Sequence, residues 1–429
     1  MRARQEADLI IVGAGASGMA AAVAAAEYNQ ASSKPLRIFI LEKEAKCGRK
    51  ISASGNGRCN LGNAHAAPAF YRTSRSDLLP SLMQNFFKYT ENLWGELGVF
   101  TYLDEEGRVY PQSEESRSIN LAFQDALTRH KVQLELNEEV VMIEPLDPGF
   151  IVKTREQEYF SKYLIWAGGS PAYPQLSGVH SYRIPSESLS LKTQPFRPAL
   201  SKLLVREKAF IERAEGSRVK ALAYLSSGEQ IRGEFLFNKG CLSGIAAMDV
   251  SNYLAEREGE WLIGEREDNY HLSTAADIIL DLIPSIEKAE LSRLLRKKSK
   301  RLNCEDLTSL LLSLLPQNVI FAIIQDLREK PEFFKQSFAQ QIAELVHLLK
   351  HYPFTVYAIR GFRTGQVAVG GIDLSEIEHD FRLKKNKSLY ICGEAVDVAG
   401  ACGGFNLHFA FASGYAAGRS VAQAWQKDS

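Results

Sequence analysis

The chain has 429 residues, a length that predicts two to four domains, and its 45% hydrophobic content is ordinary for a globular protein. Its 51 basic and 51 acidic residues cancel, which argues against a nucleic-acid partner. No apolar run reaches the roughly 18 residues of a membrane span, and the apolar run near the start lacks the features of an export signal. The six scattered cysteines form neither a disulfide framework nor a metal-ligand cluster. We therefore expect a cytoplasmic protein without a bound metal.

The first predicted elements are a strand, a tight turn and a helix, in the stretch "DLIIVGAGASGMAAA". Residues 8–12 form a short apolar run typical of a central parallel strand, and Gly13, Gly15 and Gly18 complete a GxGxxG pattern. The first glycine permits the sharp turn, the second lets a pyrophosphate approach the backbone, and the third lets the helix pack closely on the strand. The helix start at Ala16–Ser17 then offers N–H groups to a phosphate.

A second predicted strand, "LRIFILE", ends in Glu42 and is followed by Lys43. An acid at the tip of this strand accepts hydrogen bonds from ribose hydroxyls and would repel a 2′-phosphate. GxGxxG is a weak signal by itself, but here a strand precedes it, a helix follows it, and an acidic strand end comes next. This context predicts a dinucleotide-binding domain.

A glycine-rich stretch with three cations, "CGRKISASGNGRCN", occupies residues 47–60. A solvated surface loop has a similar composition, so the stretch taken by itself leaves that alternative open. Its position after the second strand favours a loop that folds back over the same phosphates, with Arg49, Lys50 and the backbone N–H groups of residues 55–57 as donors. Extra cations suit a longer cofactor, which favours FAD over NAD.

Residues 77–169 alternate between predicted helices and strands. A helix over 77–98 precedes a hairpin in "VFTYLDEEGRVYP", and an amphipathic helix in "SINLAFQDALTRH" precedes two strands in "VQLELNEEVVMIEP". A hairpin then leads into a buried strand, "KYLIWAGG", which ends at Gly168–Gly169. Paired glycines at a strand end allow the backbone to come near a ligand, although a tight strand exit has the same pattern.

The middle of the chain differs from the flanking regions. Short alternating strands over 193–272 predict an antiparallel β domain, and residues 284–350 are helical and rich in cations. The run "RLLRKKSKR" favours a solvated helix face over a nucleic-acid site, because the net charge is zero and no aromatic residues interleave. No second GxGxxG occurs in this region, so the sequence has no fingerprint of a separate NAD(P)H domain.

The last 60 residues or so return to a strand–glycine–helix pattern and complete the first sheet. The strand "SLYICGE" ends at Gly393–Glu394, and "ACGGFNLHFAF" places two glycines before a helix of small and apolar residues. The N–H groups at this helix start would face an electron-rich group such as the edge of a reduced flavin. Glu394 and Asp397 could then hold ribityl hydroxyls.

Six motifs together resemble the YhiN/BaiN-like family of NAD(P)/FAD-dependent oxidoreductases over nearly the whole chain: "IIVGAGASGMAAA", "GRKISASGNGRCN", "GRVYPQSEESRSI", "GEFLFNKGCLSG", "VAVGGIDLSEI" and "GEAVDVAGACGGFNL". The resemblance implies an α/β fold with a glutathione-reductase-type FAD-binding Rossmann domain in two segments, 1–192 and 354–429. It also implies an inserted antiparallel β-barrel-like domain (193–283 and 345–353) and a nested small helical domain (284–344). Members include aminoacetone-oxidase-like proteins and bile-acid enone reductases, so the resemblance does not give a substrate.

The resemblance and the motifs together give one set of candidate FAD-binding residues: Gly13, Gly15, Ala16, Ser17, Gly18, Glu42, Lys43, Arg49, Lys50, Ser54, Gly55, Asn56, Val140, Gly168, Gly393, Glu394, Asp397, Gly403, Gly404, Phe405 and Asn406. The sequence departs from the family pattern in three places. The loop after Gly169 is short and lacks a glycine- and threonine-rich run, Asn238 and Ile245 replace a common threonine and proline, and His408 stands where glutamine is more frequent.

Two functions are compatible with these residues. The first is an FAD-dependent oxidoreductase that transfers a hydride to or from a small organic substrate, with NAD(P)H or oxygen as the other redox partner. The second is an FAD-binding protein with a non-catalytic, RNA-interacting or protein-interacting role. His408 is the candidate catalytic proton donor, but a buried packing histidine fits the same position.

Overall fold

The structure is a computed structural model and describes residues 5–30, 32, 34–177, 189–256, 262–264 and 268–428. The strands, in chain order, are β1 (Gln5–Val12), β2 (Ile38–Glu42), β3 (Gly62–Asn63), β4 (Tyr71–Arg72), β5 (Thr101–Leu103), β6 (Arg108–Pro111), β7 (Gln133–Leu136), β8 (Val140–Pro145), β9 (Phe150–Thr154), β10 (Glu158–Trp166), β11 (Thr193–Ala199), β12 (Leu203–Val205), β13 (Arg218–Leu225), β14 (Gln230–Asn238), β15 (Cys241–Ser243), β16 (Leu262–Gly264), β17 (Asn269–Asp281), β18 (Tyr352–Arg360), β19 (Val367–Ile372), β20 (Arg382–Leu383), β21 (Asn386–Ile391) and β22 (Ala399–Gly400).

The α-helices, in chain order, are α1 (Ala16–Asn29), α2 (Arg49–Ala53), α3 (Leu79–Leu82), α4 (Phe86–Leu97), α5 (Ser116–Arg129), α6 (Pro174–Ser177), α7 (Lys208–Arg213), α8 (Ile245–Glu256), α9 (Lys288–Leu302), α10 (Leu307–Leu311), α11 (Gln317–Arg328), α12 (Pro331–Phe334), α13 (Phe338–Lys350) and α14 (Phe405–Asp428). Short 3-10 helices span Ser54–Gly57, Pro68–Phe70, Leu374–Glu376 and Gly393–Ala395. Among the described helices, none is both long enough and apolar enough to cross a membrane.

The first unit, residues 1–197 and 367–429, is built on an eight-stranded sheet whose main path runs β20-β21-β10-β1-β2-β7. β1 pairs in parallel with both β10 and β2, while β2 pairs in parallel with β7 and β10 with β21. Leu9, Ile10 and Ile11 of β1 are fully buried, because helices cover parallel sheets on both faces. The continuous apolar run in the sequence therefore corresponds to the centre of this sheet, as predicted.

The two ends of the chain meet where α14 packs against α1. A Cβ atom on Gly414 would lie 2.1 Å from the carbonyl oxygen of Ser17, and one on Gly418 would lie 2.0 Å from that of Ala21. The contacting residues advance by four in each helix, from Ser17 to Ala21 and from Gly414 to Gly418, so α1 and α14 run parallel. The small residues that the sequence places in both helices allow this close approach.

The second unit, residues 198–366, contains a seven-stranded sheet in the order β13-β14-β15-β12-β18-β17-β16. β13 also pairs antiparallel with β17, so the pairings from β13 through β17 form a closed ring of strands. Phe210, Phe237 and Phe354 lie at the centre of its apolar core. Leu291 and Leu345, from the helices over 288–350, belong to the same core.

The division of the chain lies at 197/198 and 366/367, rather than at the 192/193 and 353/354 positions suggested by the sequence. β18 belongs with the second unit because it pairs with β12 and β17. The helices over 288–350 share one core with the second sheet and do not separate as a third unit. Such long-range pairing leaves no mark in local sequence patterns.

Candidate cofactor site

The turn between β1 and α1 accepts only glycine at two positions. Gly13 has a φ of 101° and donates its N–H to the carbonyl oxygen of Leu41 at 2.8 Å, and a Cβ there would lie 2.5 Å from the carbonyl oxygen of Ala167. A Cβ on Gly18 would lie 1.8 Å from the carbonyl oxygen of Gly13. The turn is therefore held tightly against the neighbouring strand, as the fingerprint predicts.

The N-terminus of α1 is open on the side where a ligand would bind. Gly15 occupies the N-cap position and provides no side-chain cap, and a Cβ built on it would meet no atom of the described residues within 4 Å. Ala16 and Ser17 follow as the first residues of the helix, which carries no acidic residue in its first turn. The free N–H groups and the positive end of the helix dipole suit a phosphate at this position.

Glu42, at the end of β2, is oriented by the backbone around it. Its carboxylate accepts hydrogen bonds from the N–H groups of Ala14 at 2.7 Å and Glu44 at 2.9 Å. Burial raises the pKa of the Glu42 carboxyl, and these two hydrogen bonds oppose that shift. Each oxygen retains a lone pair for a further donor, so the acid can still accept from a hydroxyl group. Lys43 follows it and is half-buried.

The cation-bearing stretch is more ordered than its composition suggests, because residues 49–53 form helix α2. The N–H of Gly48 donates to the carbonyl oxygen of Ala14 at 2.9 Å, which ties the stretch to the first turn. Arg49 pairs with Glu44 and donates to the carbonyl oxygen of Gln175 at 2.9 Å. Its charge is therefore already engaged by the protein.

Residues 54–57 form a 3-10 turn with left-handed backbone. Gly55 and Asn56 have φ angles of 56° and 54°, and the Asn56 side chain is exposed. The Ser54 hydroxyl donates to the carbonyl oxygen of Ile51 at 2.7 Å. Nearby Cys59 is buried, and burial raises the pKa of its thiol to about 11, which argues against a nucleophilic role.

Lys50 forms an ion pair that links this stretch to the C-terminal segment. Its ammonium lies 2.7 Å from Oε2 of Glu394, and both side chains are largely but not completely covered. The other oxygen, Oε1, is buried and has no hydrogen-bond partner among the described residues. An acceptor held in place by a lysine and left with an unpaired oxygen fits a donor on a bound ligand. The sequence analysis names Lys50 and Glu394 as candidate FAD-binding residues, but it does not predict that they contact each other.

The 3-10 helix that carries Glu394 also contacts the start of α1. Gly393 donates its N–H to the Ser413 hydroxyl at 3.0 Å, and a Cβ on Gly393 would lie 2.4 Å from the Ser17 hydroxyl oxygen. The backbone of this short helix is thus fixed between α1 and α14. It brings the second group of predicted residues next to the first.

Asp397 is buried, and both oxygens of its carboxylate accept hydrogen bonds from the protein. Oδ2 accepts from the Ser74 N–H at 2.9 Å and from the Ser74 hydroxyl at 2.6 Å, while Oδ1 accepts from the Gly370 N–H at 3.1 Å. Burial raises the pKa of Asp397, and these hydrogen bonds oppose the shift. The side chain joins the loop at Ser74 to strand β19, a structural role that the sequence analysis did not identify.

The two glycines just before α14 have positive φ angles, which glycine adopts without strain and other residues rarely adopt. Gly403 and Gly404 have φ angles of 125° and 98°, and a Cβ on Gly404 would lie 2.3 Å from Oδ1 of Asn60. Asn406 binds both backbone groups of Gly400, through Oδ1 at 2.7 Å and Nδ2 at 2.9 Å. The Asn406 amide therefore stabilises the preceding turn. Phe405 stacks on Phe70 with ring centroids 4.7 Å apart.

The relative position of the two helix starts follows from their packing. Ser17 of α1 lies opposite Gly414 of α14, so Ala16, the first residue of α1, lies opposite Ser413. Ser413 follows Phe405, the first residue of α14, by eight residues. At about 1.5 Å per residue, α14 begins roughly 12 Å beyond the N-terminus of α1 in the same direction. The two helix N-termini are therefore offset along a common direction by the length of an extended small molecule.

His408 lies in an apolar environment. It is 3% exposed, its ring is 5.1 Å from the Phe87 ring, and neither ring nitrogen has a hydrogen-bond partner among the described residues. Burial lowers the pKa of His408 to about 4. The nearby polar backbone groups of Phe86 and Asn63 favour the charged ring and reduce this shift, but they do not cancel it. A histidine that is neutral near pH 7 and surrounded by aromatic rings favours the packing alternative over proton donation.

Two further candidates lie at strand ends. Val140, the first residue of β8, is buried opposite Thr154 of β9. Gly168 follows β10, and a Cβ on it would lie 2.8 Å from the Trp166 ring. The indole Nε1 of Trp166 is buried without a partner among the described residues. Residues 178–188 of the loop after Gly169, which was predicted to depart from the family pattern, lie outside the described part of the chain.

Comparison with known proteins agrees with this architecture. The model of the HI0933-like protein Rossmann domain family matches residues 7–420. The chain belongs to this family. The family resemblance read from the motifs is thereby confirmed, as is the Rossmann-type α/β fold.

Two relatives match almost end to end. A 3-dehydro-bile acid delta(4,6)-reductase of Clostridium scindens is 27% identical over 420 residues, covering 96% of this chain and 98% of the relative. A ribosomal RNA dihydrouridine synthase of Haemophilus influenzae is 24% identical over 427 residues, covering 98% and 99%. Among solved structures, a 3-ketosteroid-delta4-(5alpha)-dehydrogenase from Rhodococcus jostii RHA1 matches with 14% identity and a TM-score of 0.48, covering 97% of each chain.

Proposed function

We propose that this protein is an FAD-dependent oxidoreductase that reduces a carbon–carbon double bond conjugated to a carbonyl group. The observation that carries the proposal is the pair of parallel helix starts, offset by roughly 12 Å, with the unpaired oxygen of Glu394 nearby. FAD extends from its pyrophosphate through an open ribityl chain to a tricyclic ring. Nicotinamide riboside is shorter, so the offset favours FAD.

The residues of the first unit have distinct roles in this proposal. The N–H groups at the start of α1 bind the pyrophosphate, and the open space at Gly15 admits it. Glu42 accepts hydrogen bonds from the adenosine ribose. Lys50 fixes the Glu394 carboxylate, whose Oε1 accepts a hydroxyl donor of the ribityl chain.

The start of α14 acts at the other end of the cofactor. Its N–H groups and the positive end of its dipole favour negative charge at the adjacent ring edge. Gly403 and Gly404 allow the backbone to approach closely where side chains would interfere. When bound, the flavin supplies the two-electron transfer, and the protein supplies position and charge.

The substrate class is inferred from the chemistry that the relatives' names share. A delta(4,6)-reductase saturates a double bond of a steroid ring, and dihydrouridine is uridine with one saturated carbon–carbon bond. In both, a hydride and a proton add across a bond activated by a carbonyl group. NAD(P)H is the proposed hydride donor and leaves as NAD(P)+. The sequence has no second GxGxxG, so the donor would bind without a dedicated Rossmann domain.

Flavin content and anaerobic reduction test the proposal in sequence. The purified protein is expected to be yellow or to become so with added FAD, and NADH or NADPH is expected to bleach the flavin absorbance without oxygen. A steroid 4,6-dien-3-one and a uridine-containing RNA should then be compared as reoxidants of the bleached enzyme. A protein that stays colourless after addition of FAD would refute the proposal.

One observation favours a second candidate, an FAD-binding protein without turnover. His408, the predicted proton donor, is neutral near pH 7 and enclosed by aromatic rings. In that case FAD would bind and raise the unfolding temperature, but neither nicotinamide nor any substrate would change the flavin spectrum. The same spectra therefore distinguish the two candidates.

A further inference from the structure

Helix α9 of the second unit concentrates positive charge to an extent that the rest of the chain does not. Over Lys288–Leu302 it carries seven basic side chains and one acidic side chain, while the whole chain is neutral. Its apolar side is buried, with Leu291 and Leu295 in the core of the unit. The charge is therefore presented by the opposite, exposed side of the helix.

The exposed cations form one stripe along the helix. Arg293, Arg296, Lys297, Lys300 and Arg301 are all exposed and recur at spacings of three, four, seven and eight residues. These spacings place side chains on the same face of an α-helix. From Arg293 to Arg301 the stripe is roughly 12 Å long. We refer to these five residues as the α9 cationic stripe.

Among the described residues, most of the stripe has no acidic partner in an ion pair. Arg293 pairs with Glu290 at 2.5 Å, whereas Arg296, Lys297, Lys300 and Arg301 form no ion pair with a carboxylate of the described residues. Lys298, outside the stripe, has a different role, because its ammonium donates to the carbonyl oxygens of Leu310 and Leu312, both at 3.0 Å.

Helix stability does not account for the stripe. Cations in the last turn, such as Lys300 and Arg301, interact favourably with the helix dipole, but Arg296 and Lys297 lie earlier in the helix. Like charges at neighbouring positions on one face repel each other and cost helix stability. An external anion would remove that cost.

We propose that the α9 cationic stripe is a docking surface for the phosphodiester backbone of RNA. Unpaired cations at regular spacing along about 12 Å complement a row of regularly spaced phosphates. The inference concerns binding and does not depend on the flavin chemistry. The neutral net charge of the chain favours a solvated helix face, whereas the unpaired cations and the similarity to a ribosomal RNA dihydrouridine synthase favour an RNA-binding face.

RNA fits this surface better than a lipid membrane. A helix that binds a membrane inserts a broad apolar face below its cations. Here Leu291 and Leu295 are committed to the core, and only Leu294 and Leu302 are exposed. Phosphates can approach the stripe without any rearrangement of the helix.

Fluorescence anisotropy of a fluorescein-labelled RNA hairpin tests the inference on the full-length protein. The test variant is R296Q/K297Q/K300Q/R301Q, and the matched control, K88Q/K131Q/K387Q/K427Q, removes the same charge from exposed lysines of the first unit. We expect the test variant to bind roughly tenfold or more weakly, and its salt slope to fall by roughly 3 over about 50–200 mM salt. The control should stay within about twofold of the wild type.

Two further readouts make every outcome decisive. Flavin content and unfolding temperature show that the variants are folded and that the cofactor site is intact. Equal losses in both variants, a wild type that does not bind the hairpin, or binding to phosphatidylserine vesicles but not to RNA would each overturn the inference. Loss of RNA binding with unchanged flavin content would support it even if the proposed enzymatic function were wrong.

Discussion

Two lysine–carboxylate pairs of this protein differ in how completely their polar atoms are used. In the second unit, Lys350 lies 2.5 Å from Oδ2 of Asp281 and also donates to the carbonyl oxygens of Ile283 at 3.0 Å and Ile286 at 2.8 Å. The remaining oxygen of Asp281 accepts from the Ile283 N–H at 2.9 Å. In the first unit, Lys50 pairs with one oxygen of Glu394, and the other is buried without a partner among the described residues.

This is the difference expected between a structural ion pair and an ion pair of the proposed cofactor site. An unsatisfied buried oxygen costs free energy, and a hydrogen bond from a ligand would remove that cost. The glycines of the first turn show the same contrast. A Cβ on Gly18 would overlap the backbone of Gly13, whereas one on Gly15 would meet no atom within 4 Å in the described part of the chain. Gly18 is therefore required by the packing of the fold, whereas the open space at Gly15 is available to a ligand.

The largest expected effect on stability comes from the Lys350–Asp281 pair, in which both carboxylate oxygens have partners. Lys350→Ala leaves the Asp281 carboxylate buried without its cation, which should lower the free energy of unfolding by about 3–5 kcal/mol. Urea denaturation followed by intrinsic fluorescence measures this loss. The matched control is Lys335→Ala, which breaks the exposed pair with Glu332 and should change stability little. Equal effects of the two substitutions would remove the contrast on which the comparison rests.

A second pair of variants compares the two glycines. Gly18→Ala forces overlap with the Gly13 carbonyl oxygen and should destabilise the protein by about 3 kcal/mol, with loss of FAD. Gly15→Ala fits sterically in the free protein and should leave the unfolding temperature unchanged. It should weaken FAD binding roughly tenfold by occupying space near the pyrophosphate. Tight FAD binding by Gly15→Ala would contradict the assignment of the α1 start to the phosphates.

Removal of the Lys50–Glu394 pair, in which one carboxylate oxygen has no partner among the described residues, should weaken FAD binding more than it lowers stability. Lys50→Ala releases the Glu394 carboxylate, and we expect FAD affinity to fall about tenfold, the equivalent of one charged hydrogen bond, with little change in the free energy of unfolding. Fluorescence titration of the apoprotein with FAD measures the affinity. Lys46→Ala, an exposed lysine of the same segment, is the control. A large loss of stability in Lys50→Ala would make the pair structural, like that of Lys350.

The sequence predicted the parts of this site that depend on neighbouring residues. GxGxxG, the acidic strand end and the glycines before α14 each act within one turn, so their patterns are local. The Lys50–Glu394 contact joins residues 344 positions apart, and the Ser74–Asp397 contact joins residues 323 apart. No local pattern records either contact. For the same reason the sequence placed most of β18 in the first unit, since its partners β12 and β17 lie far away in sequence.

Glu96 tests the limits of the comparison, because it also has an unpaired buried oxygen. Its Oε1 accepts from the Tyr415 hydroxyl at 2.5 Å, and Oε2 has no partner among the described residues. Burial raises the pKa of Glu96 from 4.5 to about 7, so a bound proton offsets the cost of burying the charge of this carboxylate.

The smallest expected effect follows from that proton. The folded state binds it more tightly than the unfolded state, so the stability it contributes is present below pH 4.5 and is lost as the pH rises through about 7. Glu96→Gln keeps the neutral form at every pH. It should match the wild type near pH 4.5 and exceed it by on the order of 1 kcal/mol at pH 8, with unchanged FAD affinity. Urea denaturation across this range measures the difference. A difference that does not vary with pH, or weaker FAD binding, would mean that the oxygen of Glu96 belongs with that of Glu394, as part of a binding site.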